Sequence, residues 1–273
     1  MPSVLVTGAG RGIGLAITEH MSKRGWNVYA TARSDSALHR LDRLPHVHPV
    51  ALDITDRSAI AALPDRLPAE LDGVVNNAGI IVNGPVEGLS LDDLTEQLNV
   101  NVISQIAVTQ AVLPAIRAAR GRVVFMSSVS GFITTPGTGA YNASKYAIES
   151  LADALRIELR PWRIPVSLIE PGPIRTDMWA DVLADHDRMT DHLSDEHRRL
   201  YASHLAGTRK LLGRMQKLAA DPERVTKAVD HALTSRRPKR RYLLDVASRA
   251  QKAVFAMTPT SVNDAILAAV TTS

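Results

Sequence analysis

The sequence contains no cysteine among its 273 residues. This excludes disulfide scaffolds, cysteine nucleophiles, iron–sulfur clusters and cysteine-based zinc sites. Aromatic residues are scarce at 4%, and Lys plus Arg (32) exceed Asp plus Glu (28) by only 4. So small an excess of positive charge gives little reason to expect a nucleic-acid partner. With 45% hydrophobic and 22% charged residues, the composition is that of an ordinary globular protein.

Long apolar runs and targeting signals are also not evident. We identify no apolar run near the ~18 residues that a membrane span requires. Ser3–Thr7 leads directly into a glycine-rich turn, which does not fit the layout of a signal peptide. We therefore expect a soluble, cytoplasmic protein with no membrane span and no nucleic-acid partner. A chain of this length can bury about three-quarters of its unfolded surface, enough for a core without a stabilising metal.

Short β-branched runs alternate with helical patterns along the first two-thirds of the chain. Strands are predicted at Ser3–Thr7, Asn27–Thr31, Val47–Leu52, Gly73–Asn76, Arg122–Ser127 and Val166–Glu170. Helices are predicted at Gly12–Arg24, Ser36–Arg43, Asp56–Arg66, Leu91–Ala119 and Tyr141–Arg160. This alternation implies a parallel sheet covered by helices on both faces. We therefore predict an α/β fold, a single-domain Rossmann-type doubly wound sheet spanning residues 1–273.

The composition of the sequence changes after Thr176. Residues 177–220 are polar and helical, and we predict that they form a substrate lid. Six residues there recur at alternating steps of 4 and 3, which places them on one helix face: Tyr201, Leu205, Thr208, Leu212, Met215 and Ala219. Asp221-Pro222-Glu223 is typical of a helix start, with Asp221 as its cap. Arg241–Leu244 is predicted to be the last strand, and residues 245–273 a C-terminal helical extension.

The segment Thr7–Gly14, with the sequence TGAGRGIG, follows the first predicted strand and opens the first predicted helix. Glycines in such a turn let the backbone approach a pyrophosphate, whose charge is favoured at the helix N-terminus. A purely structural glycine turn is the alternative, and the flanking strand and amphipathic helix favour the binding interpretation. The predicted nucleotide contacts in this turn are Gly8, Gly10, Arg11, Gly12, Ile13 and Gly14.

Tyr141 and Lys145 are four residues apart on a predicted helix and therefore share one face. A lysine ammonium group near a phenol is expected to lower the phenol's pKa from about 10 toward neutrality. That would provide an acid/base group for pH 7. A pair with this spacing is by itself commonly just helix surface. Here Ser127 and Ser128 end a strand shortly before Tyr141, at the edge where Rossmann sheets present ligands.

Six motifs occur in the order found in classical short-chain dehydrogenases/reductases: the glycine turn, Asn76–Gly79, Asn101, Ser128, the Tyr141/Lys145 pair and Pro171–Thr176. Linked motifs are far more specific than any one alone. The chain resembles this family over roughly residues 3–177, and looks most similar to its hydroxysteroid/retinol dehydrogenase branch. The resemblance implies hydride transfer between a nicotinamide cofactor and a small alcohol or carbonyl compound. An apolar steroid-, retinoid- or lipid-like substrate is expected.

The resemblance implies catalytic roles for four residues. Tyr141 would donate a proton to the carbonyl in reduction, or accept one in oxidation. Lys145 would hold the nicotinamide ribose hydroxyls and keep Tyr141 acidic, and Ser128 would hydrogen-bond the substrate oxygen. Asn101 would hold the helix backbone so that a water connects Lys145 to solvent, with Asn99 as the alternative for this role.

Further matched positions imply contacts with the cofactor. Asp53 would contact the adenine amine, although it could instead act mainly as a helix N-cap before Ile54. Asn76–Gly79 resembles the segment that closes over the adenine ribose, and Ile174 and Thr176 match the pair that orients the carboxamide. The implied contacts of this group are Asp53, Ile54, Asn77, Ala78, Gly79, Pro171, Gly172, Ile174 and Thr176.

The end of the second predicted strand bears on the choice of cofactor. NAD-preferring domains place an acidic residue about 20 residues beyond the glycines, on the ribose 2′-hydroxyl. That position is Ala32 here, and Arg33 follows it. Arg33 and Arg11 suit a 2′-phosphate, so we predict NADP(H) as the preferred cofactor, with NAD(H) possible. Asp35 favours NAD(H) instead, unless its carboxylate caps the helix that starts at Ser36.

Other residue groups carry weaker signals. We do not predict a metal site, because the gaps of 6, 5 and 7 between four histidines do not place them on one helix face: His186, His192, His197 and His204. The basic run Arg236–Arg241 is interpreted as a solvated loop. Trp179 either contacts substrate or packs in the core.

The sequence is also compatible with two alternative functions. One is a 3-oxoacyl-thioester reductase within the same family, which the long segment after Thr176 disfavours. The other is a catalytically silent NADP-binding protein, although such proteins typically lose the Tyr or Lys of the pair. The resemblance to the family also implies a homodimer or homotetramer, assembled through the helices Leu91–Ala119 and Tyr141–Arg160.

Overall fold

The computed structural model describes residues 1–176 and 182–271. Its centre is a seven-stranded parallel sheet with the order β3-β2-β1-β4-β5-β6-β7. The strands are β1 (Ser3–Val6), β2 (Asn27–Ala32), β3 (Val47–Ala51), β4 (Gly73–Asn76), β5 (Arg122–Met126), β6 (Val166–Glu170) and β7 (Arg241–Leu243). Every predicted strand is present, with ends that differ from the prediction by at most one residue.

Helices cover both faces of this sheet. They are α1 (Gly12–Lys23), α2 (Asp35–Asp42), α3 (Arg57–Ala61), α4 (Leu91–Leu98), α5 (Ser104–Ala119), α6 (Gly139–Glu158), α7 (Val182–His192), α8 (Asp195–Leu200), α9 (Ala202–Lys217), α10 (Glu223–Thr234), α11 (Val246–Met257) and α12 (Thr260–Thr271). The predicted doubly wound α/β fold is confirmed. Because all strands run in parallel, the loops after β1, β4, β5 and β6 meet at one edge of the sheet.

Alternation along the strands divides the core into two layers. In β1, Val4 and Val6 pack on one face, where they meet Ile17 of α1, and Leu5 packs on the other face. The second layer is closed mainly by α5 and α6, which contribute residues such as Ile148. All of these side chains have 0% exposure. Since burial of one such side chain contributes about 1.5–3 kcal/mol, the sheet is a rigid frame for the loops at its edge.

Two helix starts differ from the sequence-based expectation. Ser34, not Asp35, caps α2, because its hydroxyl accepts a hydrogen bond from a backbone N–H of the first turn. Asp56, not Asp53, caps α3 and accepts two such bonds. Asp53 instead accepts hydrogen bonds from the backbone and the hydroxyl of Thr55, at 2.9 and 2.8 Å. The alternative role for Asp53 as a helix N-cap is therefore wrong.

The stretch Leu91–Ala119 is helical throughout but changes its winding in the middle. Between α4 and α5, the five residues Asn99–Ile103 form a π-helical turn. By length and composition this stretch could cross a membrane, because its most apolar 18 residues have a mean hydropathy of 1.4, so the expectation that no such run exists is wrong. In this structure the stretch packs against β4, α3 and α6, and 44% of its most apolar part is buried within the protein.

The lid region consists of α7, α8 and α9, as its helical pattern predicts. Ile174, in the loop after β6, forms a parallel bridge with Ala220, the last residue of this segment. Helix α9 packs against α7 and α12. The hydroxyl of Tyr201 donates a 2.7 Å hydrogen bond to Glu87, which ties this region to the loop after β4. Trp179 lies outside the described residues.

Candidate active site

The glycine turn between β1 and α1 has the backbone geometry that its sequence requires. Gly8 and Gly12 have φ values of +64° and +56°, a region that favours glycine. A Cβ atom at Gly14 would lie 2.2 Å from the carbonyl oxygen of Gly8. No described side chain caps α1, whose N-cap residue is Arg11. The turn therefore directs the N-terminus of α1 toward a space suited to an anion.

The loop after β4 is joined directly to this turn. The amide of Asn77 donates hydrogen bonds to the carbonyl oxygens of Thr7 and Gly8, at 3.0 and 3.3 Å. The backbone N–H groups of Asn77 and Ala78 both donate to the Thr7 hydroxyl. A Cβ at Gly8 would lie 2.9 Å from the Cα of Ala78. Two predicted cofactor segments that are about 70 residues apart thus form one rigid unit.

Three side-chain amides spaced four residues apart hold the segment that follows, Ala78–Val82. Gln105 donates to its first carbonyl at 2.7 Å, and Gln97 accepts from its last N–H at 2.7 Å. Between them, Asn101 accepts from the N–H of Ile80 (2.8 Å) and donates to its carbonyl oxygen (3.0 Å). Sequence analysis missed the two glutamines, although their regular spacing on one helix face is a usable signal.

Asn101, rather than Asn99, occupies the position that faces the site. Asn101 is fully buried on the π-helical turn and also donates a 3.1 Å hydrogen bond to the hydroxyl of Ser144 on α6. That hydroxyl in turn donates to the backbone carbonyl of Tyr141 at 2.7 Å. A π turn often occurs at functional sites. Here it lies where Asn101 can contact both the Ile80 loop and α6.

The Tyr141/Lys145 pair lies beside the end of β5. The Lys145 side chain is buried, with its Nζ atom 5.5 Å from the ring centroid of Tyr141. The same Nζ atom donates a 2.8 Å hydrogen bond to the carbonyl oxygen of Met126, the last residue of β5. Two residues later, Ser128 lies close enough to the Tyr141 phenol to lower its pKa, and its hydroxyl lies 3.4 Å from the carbonyl oxygen of Pro171. The fold therefore brings the predicted catalytic side chains together.

The protonation states of this pair differ from expectation in one respect. Burial raises the pKa of Tyr141 to about 12, and the hydrogen bond with Ser128 acts in the opposite direction. Burial lowers the pKa of Lys145 to about 8, while the carboxylate of Glu149 raises it. The expected lowering of the Tyr141 pKa toward neutrality is wrong for this structure, because desolvation of the phenolate dominates. At pH 7 Tyr141 holds its proton and Lys145 carries its charge, the state of a proton donor beside a cation.

The loop after β6 faces the glycine turn from the other side. A Cβ added to Gly12 would lie 3.5 Å from the side chain of Thr176. Ile174 is only 3% exposed and its side chain packs into the core. Pro171 begins this loop, and its carbonyl oxygen is the one near Ser128. The loop thus extends from the predicted catalytic serine to the predicted pyrophosphate site.

The predicted 2′-phosphate region contains an arginine that sequence analysis missed. Ala32 is small and 6% exposed, and the Arg33 side chain next to it is 72% exposed, with a guanidinium nitrogen 3.9 Å from Asp53. Arg40, on the outer turn of α2, donates a 2.5 Å hydrogen bond to the carbonyl oxygen of Gly10. Only the fold reveals this contact, because it joins a residue of α2 to the glycine turn, 30 residues earlier in the chain.

The basic run near β7 does not behave as one unit. Its first part, Arg236–Arg240, is largely solvent-exposed, as predicted for a loop. Arg241 is different, because it forms ion pairs with Glu149 (3.0 Å), Asp153 (2.6 Å) and Glu170 (3.1 Å). The interpretation of the whole run as a solvated loop is therefore wrong for this one residue.

The lid histidines are dispersed in the structure. His186 is buried, with 2% exposure, beside the carboxylate of Asp187. His197 and His204 each pack edge-on against the ring of Tyr201. Within residues 1–176 and 182–271, no group of three or more His, Asp or Glu side chains is placed to hold a metal ion.

Comparison with known proteins identifies relatives along most of the chain. Residues 2–187 match the family model described as short chain dehydrogenase. The "Uncharacterized oxidoreductase YbbO" of Escherichia coli K12 is 34% identical, over 97% of this chain and 93% of that protein. The "NADPH-dependent 3-dehydrocapnine reductase" of Ornithobacterium rhinotracheale is 30% identical, over 97% of this chain and 96% of that protein.

A vertebrate relative and a solved structure agree with these matches. "Retinol dehydrogenase 16" of Rattus norvegicus is 34% identical, over 88% of this chain and 79% of that protein. The crystal structure of a short-chain dehydrogenase from Streptomyces avermitilis superposes with a TM-score of 0.78 at 27% identity. That superposition covers 97% of this chain and 94% of the other.

Proposed function

This chain belongs to the short-chain dehydrogenase/reductase family, an NAD(P)-dependent group of oxidoreductases, and from that premise we propose that it reduces an apolar ketone or aldehyde with NADPH. The reverse reaction oxidises the corresponding alcohol. One observation carries the proposal: Tyr141, Ser128 and Lys145 meet at the end of β5, at the same edge of the parallel sheet as the glycine turn. Which direction operates in the cell depends on the ratio of reduced to oxidised cofactor.

The residues present fit a dinucleotide cofactor. The φ values of Gly8 and Gly12, and the absence of room for a Cβ at Gly14, leave a backbone cradle at the N-terminus of α1. We assign the pyrophosphate to this cradle and the nicotinamide ribose to Lys145. We assign the carboxamide to Ile174 and Thr176, which follow the loop after β6 toward Gly12. The bound cofactor supplies or accepts the hydride.

Around the reacting carbonyl, the side chains have separate tasks. Ser128 donates a hydrogen bond to the carbonyl oxygen and so stabilises the charge that develops there. Tyr141 donates its phenolic proton to the same oxygen as general acid. The ammonium group of Lys145 stabilises the phenolate that remains. Asn101 fixes the backbone of Ile80. A water molecule bound near Asn101 would connect Lys145 to solvent and so return a proton to the site.

NADPH is proposed as the preferred cofactor because positive charge surrounds the expected 2′-phosphate position. Arg33 follows the small Ala32, and Arg40 reaches the glycine turn from α2. Arg11 lies at the start of α1. Asp35 does not cap α2, so it is an exposed carboxylate in the first turn of that helix and favours NADH to some extent. The relative from Ornithobacterium rhinotracheale, which is named as NADPH-dependent, supports this choice.

An apolar substrate is proposed from the lid region. One face of α9 carries Leu205, Leu212 and Met215, and all three are partly buried rather than exposed. Neighbouring turns of this region pack over the loop after β4, where a Cβ at Gly88 would lie 2.9 Å from Leu193. A pocket wall of this kind suits a steroid-, retinoid- or lipid-like molecule. The relative named retinol dehydrogenase supports that class.

A homodimer or homotetramer is proposed from the apolar residues that remain exposed on α6 and on the π turn. Ile103, Tyr146, Leu151 and Ile157 are 40–59% exposed. Their burial against a second copy would remove apolar surface from water at about 25 cal/mol per Å². Light scattering of the purified protein measures the assembly directly, and a monomer at micromolar concentration contradicts this part of the proposal.

The test of the function is a substrate comparison with both cofactors. Oxidation of NADPH is followed with all-trans-retinal, a 3-ketosteroid and an acetoacetyl thioester, and the same set is repeated with NADH. We expect turnover with NADPH and the retinoid or steroid. Faster turnover of the thioester favours a 3-oxoacyl-thioester reductase. Tight NADPH binding without turnover on any carbonyl compound favours a silent NADP-binding protein.

A further inference from the structure

A buried carboxylate lies on the catalytic helix without a task in the proposed reaction. Glu149 follows Lys145 by one turn of α6 and is 8% exposed. One of its oxygens, Oε2, accepts a 3.0 Å hydrogen bond from Nε of Arg241. The other, Oε1, is buried and has no hydrogen-bond partner among the described residues. Burial of a charged group is costly unless the charge is compensated, so this placement needs a reason.

Arg241 holds Glu149 within a cluster of charges drawn from four elements. Its guanidinium also pairs with Asp153 on α6 and with Glu170 at the end of β6. Glu170 is fully buried and pairs in addition with Lys252 of α11, at 2.9 Å. The cluster therefore connects α6 to β6, β7 and the C-terminal helix α11. With three partners, the guanidinium has little freedom to turn away from Glu149.

Lys145 has few other sources of stabilisation for its charge. Its Nζ atom donates to the Met126 carbonyl, and the only described acidic side chain that acts on its pKa is Glu149. The two residues are four apart on a helix, about 6 Å along its axis and on the same face. Because the space between them is shielded from water, the carboxylate favours the charged ammonium form more strongly than it would at the surface.

We propose that Glu149 is a positioning residue that keeps Lys145 in its charged form, and that Arg241 limits this effect by neutralising part of the carboxylate. This role rests on the function proposed above, in which the lysine ammonium holds the ribose and stabilises the Tyr141 phenolate. The Oε1 atom, which Arg241 does not bond, lies beside Gly131, where an added Cβ would be 3.4 Å from it.

The other charged and titratable groups of this region come from four elements. They are Asp153 and Arg156 on α6, Glu170 on β6, Arg241 on β7 and Lys252 on α11, with the phenol of Tyr141 on the far side of Lys145. Burial and the neighbouring Glu149 both raise the pKa of Glu170. Removal of single members of the cluster therefore shifts the Lys145 titration in directions that can be stated in advance.

Two substitutions shift the lysine titration in opposite directions. Glu149→Gln removes the favourable negative charge, so Lys145 loses its proton at a lower pH, by roughly one pH unit or more. Arg241→Met removes a nearby positive charge and frees Glu149, so Lys145 loses its proton at a higher pH. Glu149→Asp restores the wild-type titration in part. Arg156→Met, which removes one ion pair with Asp153 about 16 Å along the helix from Lys145, leaves the titration in place.

The experiment is an NMR titration of the full-length protein labelled with ¹³C at the lysine ε-carbons. The Lys145 signal is assigned by its loss in Lys145→Met. This readout needs neither cofactor nor turnover, so it separates this proposal from the proposed function. If the protein turns over no carbonyl compound, the titration still decides the role of Glu149.

Opposite shifts in the Glu149 and Arg241 variants support the proposal, and the pH profile of NADPH oxidation should then shift in the same two directions. Unchanged titration in Glu149→Gln overturns it. A shift in the same direction in both variants also overturns it, since general loosening of the cluster would act that way. If Glu149→Gln does not fold, the upward shift expected in Arg241→Met decides alone.

Discussion

The side-chain amide of Asn101 binds both backbone polar groups of Ile80. It accepts a hydrogen bond from the N–H group at 2.8 Å and donates one to the carbonyl oxygen at 3.0 Å. Its amide nitrogen is also bonded to Ser144 at 3.1 Å. A single buried side chain therefore holds the loop after β4 against the helix that carries Tyr141 and Lys145, and sets the spacing between them.

We expect Asn101→Ala to lower both stability and activity. The change leaves the N–H of Ile80 buried without an acceptor, and each such stranded group costs about 1–3 kcal/mol. The free energy of unfolding, measured in urea, should fall by at least ~2 kcal/mol. Asn99→Ala is the matched control, because no hydrogen bond of the Asn99 side chain is found within the described residues, and it should stay within about 0.5 kcal/mol of wild type. Equal losses in the two variants would contradict the assignment of Asn101.

Tyr141→Phe should lower turnover by at least ~10²-fold while NADPH binding stays near wild type. The phenol is the proposed general acid, and loss of a positioned proton donor has an effect of this size. The matched control is Tyr146→Phe on the same helix, whose side chain is 44% exposed. Single-turnover rates of the Tyr141 variant close to wild type would rule out its role.

The two directions of the reaction should respond oppositely to pH. Burial raises the pKa of Tyr141 to about 12 and lowers that of Lys145 to about 8. Carbonyl reduction needs a protonated phenol and a charged lysine, so its kcat/KM should decline as the pH rises through about 8. Alcohol oxidation needs the phenolate of Tyr141. Its rate should therefore increase as the pH rises toward about 8, the pKa of Lys145. A reduction rate that increases from pH 7 to 9 would be inconsistent with these protonation states.

Arg33→Ala and Arg40→Ala should each raise the KM for NADPH by tenfold or more and leave the KM for NADH little changed. A charge-assisted hydrogen bond to phosphate contributes about 1.5–3 kcal/mol, and NADH lacks that phosphate. Arg43→Ala serves as the control, since Arg43 is exposed at the C-terminal end of α2, the helix that carries Arg40. Equal KM values for NADPH and NADH in the wild-type protein would refute the cofactor preference.

The lid proposal predicts a change in hydrogen exchange when ligands bind. In residues 182–220, backbone amides should become more protected when NADP and a substrate analogue are added, because closure excludes water from the hydride path. Leu212→Asp should raise the KM for an apolar substrate while the melting temperature changes little. A helix that is docked permanently in the core would show the reverse: exchange unaffected by ligand, and a loss of stability in the variant.

Local sequence patterns were sufficient for the elements and for several functional segments. The strands could be located because each is a short apolar run bounded by turn residues, and parallel sheets bury such runs on both faces. The glycine turn could be recognised because glycine adopts the φ near +60° found at Gly8 and Gly12 without strain, and because the close backbone contact at Gly14 leaves no room for a Cβ. The Tyr141/Lys145 spacing predicted a shared helix face for the same local reason.

The tertiary structure decided what depends on distant neighbours and on burial. Asn101 rather than Asn99 faces the site because of a π turn, and Arg40 reaches Gly10 only because α2 packs beside the glycine turn. The pKa of Tyr141 rises instead of falling because burial strips water from the phenolate. Arg241 pairs with the buried carboxylates of Glu149 and Glu170, although the preceding residues of the basic run are largely exposed. Hydrogen-bond partners and desolvation are properties of the space around a side chain, which the order of residues along the chain does not specify by itself.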